Sequence, residues 1–101
     1  MATYLYKIQP VKENFNETGT QEDFKIMGEH FVYLKDLMQK GILFFAGPCL
    51  DASMGLALFS AGSLEEAEKI LNDDPAVKKG VVKGEVKEYR ISIINRDWQE
   101  K

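Results

Sequence analysis

This chain predicts an α+β domain, one four-stranded antiparallel sheet carrying two helices, on three observations. Two segments, near the two ends of the chain, alternate residues at a period of two, and two short apolar runs lie between them. Two others place apolar residues at helical spacing behind N-terminal capping signals. The segments follow one another in the order β-α-β-β-α-β. The chain has 101 residues, enough for a single domain over residues 1–101 and too few for a separate cofactor module. Hydrophobic residues at 45% against charged residues at 29% place it among chains that fold. A domain of this size buries only roughly 60–65% of its unfolded surface, and the single cysteine, Cys49, allows no intrachain disulfide. A second copy of the chain or a ligand is therefore expected to complete the burial.

Thr3 to Ile8 sets Tyr4, Tyr6 and Ile8 against Leu5 and Lys7, a strand that Pro10 ends. Val11 to Gly19 is polar and predicts a loop. Thr20-Gln21-Glu22-Asp23 reads as a capping box with Asp23 in place of glutamate. It opens a helix from about Gln21 to Lys40 that Gly41 closes with a left-handed cap. At roughly 100° per residue, Phe24, Met27, Phe31, Leu34, Leu37 and Met38 share one arc and form its expected buried stripe. Ile42 to Ala46 and Gly55 to Ala61 predict an antiparallel pair. Ser63-Leu64-Glu65-Glu66 is a second capping box, and Leu64, Ala67, Ile70 and Leu71 form a stripe until Asn72-Asp73-Asp74-Pro75 breaks the helix. Gly55, Gly80 and Gly84 read as turn glycines, and alternation from Val86 to Ile93 predicts the last strand. The plan is ferredoxin-like, with both helices on one sheet face. The strands are nonetheless apolar on both sides, since Leu56 and Leu58 alternate with Ala57 and Phe59, and Leu5 with Tyr4 and Tyr6. Such a sheet calls for a sheet-to-sheet homodimer or a ligand cavity.

Charge and hydropathy exclude several function classes. Thirteen basic residues face sixteen acidic ones, a net charge of -3, and only Arg90 and Arg96 are arginines, which argues against nucleic-acid binding. Lysines beside acids, as at Lys35-Asp36, read as solvated surface. The longest apolar run, Ile42 to Ala46, falls far short of the roughly 20 residues a membrane span requires. The Met1-Ala2-Thr3-Tyr4 start lacks a basic and apolar leader, so a cytoplasmic location with reduced Cys49 is expected.

His30 is the only histidine and falls inside the apolar arc of the first helix, between Leu34 and Leu37. It is either a core histidine bonded to a backbone carbonyl or a general acid/base, and the second role calls for a carboxylate partner. Asp74 is the candidate, at the helix end where Pro75 turns the chain, although aspartate before proline also serves as a plain turn former. Gly47-Pro48 either ends a strand or lets a ligand approach the backbone. Tyr33, Phe44, Phe45, Phe59 and Tyr89 are core or pocket-lining aromatics, and Cys49 is a loop thiol without a role. No HxxxH, CxxC or glycine-rich phosphate loop occurs, so no metal and no cofactor are expected.

Glu29-His30-Phe31-Val32-Tyr33-Leu34, with Leu37, Gly41, Leu43 and Ala46-Gly47-Pro48, resembles the HxxYL...L...GxLxxAGP signature of the YciI-like (YCII-related) family. Gly55-Leu56-Ala57-Leu58-Phe59, Ser63-Leu64-Glu65-Glu66-Ala67 and Asp74-Pro75-Ala76-Val77 resemble its second half. The resemblance runs from about Phe24 to Tyr89. It implies a dimeric α+β barrel and places the family's shared histidine and aspartate on His30 and Asp74. Many members carry a cation shortly before the histidine. Here Ile26-Met27-Gly28-Glu29 stands there, with Lys25 the nearest cation and Arg90 a possible replacement. Ile94 to Lys101, with Trp98, fall outside the resemblance.

The expectation is a small homodimeric enzyme in which His30, oriented by Asp74, performs lyase- or isomerase-like acid/base chemistry. Its substrate would be a small cyclic or aromatic molecule held by Tyr33, Phe45, Gly47, Pro48 and Phe59. The alternative is a non-catalytic module of the same fold that binds a small molecule or mediates assembly.

Overall fold

The computed structural model describes residues 2–98. Its centre is strand β1, Ala2–Pro10, whose period-two alternation turns Tyr4, Tyr6 and Ile8 into the core. Phe15–Thr18 forms one helical turn, α1, and Gln21–Gln39 forms α2. Strands β2, Leu43–Pro48, and β3, Gly55–Ala61, are followed by helices α3, Leu64–Asn72, and α4, Pro75–Lys78, and the last strand is β4, Val82–Glu88. The sheet is antiparallel throughout in the order β2-β3-β1-β4. This is the ferredoxin-like α+β plan, with the chain's first strand flanked by its third and fourth.

The caps explain where the helices begin and end. Asp23 N–H donates to Thr20 Oγ1 at 3.0 Å, and Asp23 Oδ2 accepts from Thr20 N at 2.9 Å, so aspartate completes the reciprocal box. Gly41, at φ 77°, closes α2 with paired bonds from Gly41 N to Met38 O and from Ile42 N to Leu37 O, each 3.0 Å. Ser63 caps α3 through Glu66 N at 3.1 Å, but Glu66 reaches back to Gly62 N rather than to Ser63 N, so this box is half formed.

Several further sequence expectations need correction. The stretch Val11 to Gly19 is not all loop, because Phe15 is buried against Phe24, ring centroids 5.1 Å apart, and the chain coils once to place it there. The buried row of α2 is Ile26, His30 and Leu37, while Phe24, Phe31 and Met38 stay largely exposed. The sheet thus covers only one flank of the apolar arc, and the other flank is left open. The last strand starts four residues earlier than its alternation suggests, because β1 takes partners along its length, from Tyr4 opposite Glu88 to Pro10 opposite Val82. Tyr89 N donates to Thr3 O at 2.9 Å where the ladder stops, and Ile91 and Ile93 lie beyond it.

Gly84 is accordingly a strand residue opposite Ile8, not a turn glycine. A Cβ there would stand 2.8 Å from Leu71 Cδ1, 2.9 Å from Ile8 Cγ2 and 3.0 Å from the backbone oxygen of Lys7. Glycine at this point lets α3 settle on the sheet. The Gly84→Ala chain should lose about 1–3 kcal/mol of stability, measured by urea denaturation, because backbone cannot yield as a side chain can. Unchanged stability would show that α3 does not press on β4 in this way.

Candidate active site

Pro75 shapes the site from the sequence upward. A residue preceding proline is kept out of helical conformation, so Asp74 is extended at φ -65°, ψ 127°, and caps α4. Pro75 then occupies the first turn of α4, where a missing N–H costs nothing. Asp74 Oδ1 accepts from Ala76 N at 2.9 Å. Its other oxygen, Oδ2, accepts from His30 Nδ1 at 2.6 Å and from the Tyr6 hydroxyl. Asp74 is fully buried, and three converging donors offset the large cost of holding a carboxylate away from water.

The donors come from separate parts of the fold. Tyr6 stands at the centre of β1, opposite small Ala57 on one side and Val86 on the other, and its ring meets Phe59 edge-on at 6.0 Å. His30 belongs to the buried row of α2. A carboxylate can only accept, so the ring proton of the bonded His30 is assigned to Nδ1, which leaves Nε2 as the nitrogen available to another molecule. Burial, followed by the charge of Asp74 and the hydrogen bond to it, raises the Tyr6 hydroxyl far above the ordinary tyrosine range. The neighbouring Tyr33 hydroxyl is pushed up to about 12, by burial first and then by Asp73, Asp74 and Asp36.

His30 and Tyr6 border a cavity of about 510 Å3 between α2 and the β2 side of the sheet. The open flank of α2 supplies Met27, Phe31, Leu34 and Met38, and β2 supplies its whole length from Leu43 to Pro48. A bulge between Leu43 and Phe45 sets Phe44 and Phe45 side by side at the edge, both exposed. The lining is aliphatic and aromatic apart from His30, Tyr6 and Lys35. Such a cavity suits a small apolar ring and meets it with one imidazole able to exchange a proton.

Of the residues the sequence pointed to, His30 and Asp74 are brought together, and Phe45, Gly47 and Pro48 line the cavity with His30. Tyr33 and Phe59 do not line it. Tyr33 spends its hydroxyl on Ile70 O at 2.7 Å, which ties α2 to α3, and Phe59 is core between Tyr4 and Tyr6. Neither Arg90 nor Cys49 borders the cavity. Sequence reasoning missed Tyr6 and Lys35. Tyr6 carried a usable signal, since a tyrosine rather than a phenylalanine on a core-facing strand position needs a partner for its hydroxyl. Among the described residues no group of three or more His, Cys, Asp or Glu side chains is placed to hold a metal ion.

Fold and site together define a ferredoxin-like α+β protein whose buried histidine–carboxylate pair opens on an apolar cavity. Residues 3–92 match the YCII-related domain, and the chain belongs to that family. No curated protein matches the chain. Among solved structures it is similar to 5-chloro-2-hydroxyhydroquinone dehydrochlorinase (TftG) from Burkholderia phenoliruptrix AC1100, in complex with 2,5-dihydroxybenzoquinone. That likeness covers 87% of this chain and 93% of the other at 19% identity, with a TM-score of 0.69. At this identity it establishes the shared fold.

The raised hydroxyls of Tyr6 and Tyr33 carry a pH consequence. A tyrosine whose folded pKa lies above its unfolded value of about 10 contributes stability that is complete below that pH and lost as pH rises through it. Stability should therefore fall with increasing pH above about 10, and the fall should be shallower in Tyr6→Phe, as followed by denaturation at stepped pH. Equal slopes in both chains would mean that Tyr6 does not release its proton on unfolding in that range.

Proposed function

We propose that this protein is a small acid/base enzyme of the lyase or isomerase kind, acting on a cyclic or aromatic substrate. His30 Nε2 moves the proton, and Asp74 fixes the ring and stabilises its protonated form. The observation that carries the reading is the place of the pair. Asp74 is fully buried and holds His30 Nδ1 at 2.6 Å, while His30 itself borders an otherwise apolar cavity. A core histidine bonded to a backbone carbonyl would need neither the carboxylate nor the cavity. No serine or thiol stands in the lining to act as a nucleophile, which favours proton transfer over acyl transfer. The dehydrochlorinase with the same fold, whose solved complex holds a dihydroxybenzoquinone, makes elimination from a substituted ring a suitable first reaction to assay.

One observation favours the rival reading of a non-catalytic binding module. Asp74 also caps α4 through Ala76 N, so part of its role is structural. The two readings separate in variants. Assayed against halogenated hydroquinones, cyclic enones and lactones, His30→Gln should lower kcat by about 10²- to 10⁴-fold with little change in KM. Asp74→Asn should lower kcat by a smaller factor. If no member of the panel is turned over and both variants only lower Tm, the pair serves structure.

The assembly belongs to the same proposal. Phe31, Phe44 and Phe45 are all exposed on the cavity side of a small domain, and a second copy of the chain would cover apolar surface of this kind. Sedimentation equilibrium should return twice the chain mass. A monomer at micromolar concentration rules the homodimer out.

A further inference from the structure

We propose that the cavity selects a ring bearing one anionic oxygen group, a carboxylate or phenolate, and that Lys35 is the residue that selects it. The inference rests on the cavity being the substrate site. Lys35 is the one Lys or Arg in the lining, which contains no Asp or Glu. Asp74 lies behind His30 and Tyr6, with its charge already met by their hydrogen bonds and by Ala76 N.

Among the described residues, Lys35 is set apart from the other unpaired lysines, Lys7, Lys25, Lys78, Lys83 and Lys87, by its place in the cavity lining. Lys12, Lys40, Lys69 and Lys79 are bonded to Asp23, Asp36, Asp73 and Glu29 at 2.6 to 2.8 Å. Asp36, next to Lys35 in sequence, is taken by Lys40 one turn further on at 2.8 Å. Lys35 has no carboxylate partner among the described residues. Its Nζ instead stands 5.4 Å from the centroid of the Phe31 ring, which also lines the cavity. Lys35 and Asp36 are both exposed, as their adjacency in sequence suggests, but the carboxylate of Asp36 meets Lys40.

An apolar wall alone would disfavour an anion, because a charge removed from water without a partner is costly. A cation at the rim reverses the preference: Lys35 is exposed, so solvent screens its attraction, and the effect expected is a modest one. Lys35 and His30 are five residues apart, about 7.5 Å along the helix axis. Five residues also turn roughly 140° around the helix, so Lys35 stands at the exposed rim of the cavity and His30 on its buried wall, and a ring anchored at Lys35 presents another of its atoms inward, toward His30.

The test compares 2-naphthoate with 2-naphthamide, nearly equal in shape and different in charge, by calorimetric titration, with the His30 ring signals in NMR reporting occupancy of the cavity. The wild-type chain should bind the carboxylate roughly tenfold more tightly than the amide. Lys35→Met keeps the apolar stem and removes the charge. It should abolish that preference while leaving the amide within about twofold. Lys35→Arg should keep most of the preference, and Lys69→Met, on α3 away from the cavity, should keep all of it. Equal binding of the two probes by the wild type, or a preference that survives Lys35→Met, overturns the role of Lys35 and leaves the cavity as a binding site. Absence of binding by either probe, with His30 unperturbed, overturns the proposal together with the reading of the cavity on which it rests.

Discussion

A carboxylate with no exposure is the constraint around which this small domain is arranged. Withdrawing Asp74 from water costs several kcal/mol unless donors surround it, and the three that do so come from β1, α2 and α4. The central strand, the long helix and the short helix are therefore tied to one side chain. Other features follow from this. Ala57 and Val86 flank Tyr6 without crowding its ring. Pro75 holds the residue before it, Asp74, extended, so that after α3 ends this residue caps α4 instead of coiling on. Outside the cluster, Lys79 bonds Glu29 at 2.8 Å and clasps the end of α4 to the middle of α2 on the solvent side.

The same cluster divides α2 lengthwise. One flank, Ile26, His30 and Leu37, enters the core, and the next flank, Met27, Phe31, Leu34 and Met38, borders the cavity. His30 belongs to both surfaces. Its Nδ1 edge faces a dry polar cluster and its ring borders an open apolar space, so one nitrogen is fixed while the other meets whatever enters. That division of labour between two ring atoms is what the proposed acid/base role of His30 would draw on.

Much of this was legible in the chain because local chemistry carried it. Thr20 with Asp23, Gly41, and Asp74 with Pro75 each fix a helix end through bonds made within a few residues, and such bonds do not depend on the rest of the fold. Alternation in β1 and β3 was equally plain. The last strand was misplaced because Gly84 occupies a core-facing position and breaks the apolar pattern, a choice dictated by Leu71 and Ile8, which are distant in sequence. Phe15 looked like part of a polar loop because its partner, Phe24, lies on the far side of a helix cap. The wheel of α2 gave the arc but not which flank the sheet would cover. In the candidate site, His30 and Asp74 stood out as residue types, whereas Tyr6 and Lys35 acquire their significance only from neighbours 68 residues away in one case and one helical turn away in the other.

The bulge in β2 reaches further than the cavity it helps to line. β2 is an edge strand, and an edge with regular unpaired backbone is a template for another strand. By doubling Phe44 and Phe45 opposite a single stretch of β3, the chain breaks the rhythm an incoming strand would have to match, and Pro48 removes a donor from the end of the same edge. The opposite edge, β4, sets Lys83, Glu85 and Lys87 along its length. Both borders discourage a fifth strand, so the sheet is poorly suited to growing edge to edge into ribbons or fibrils.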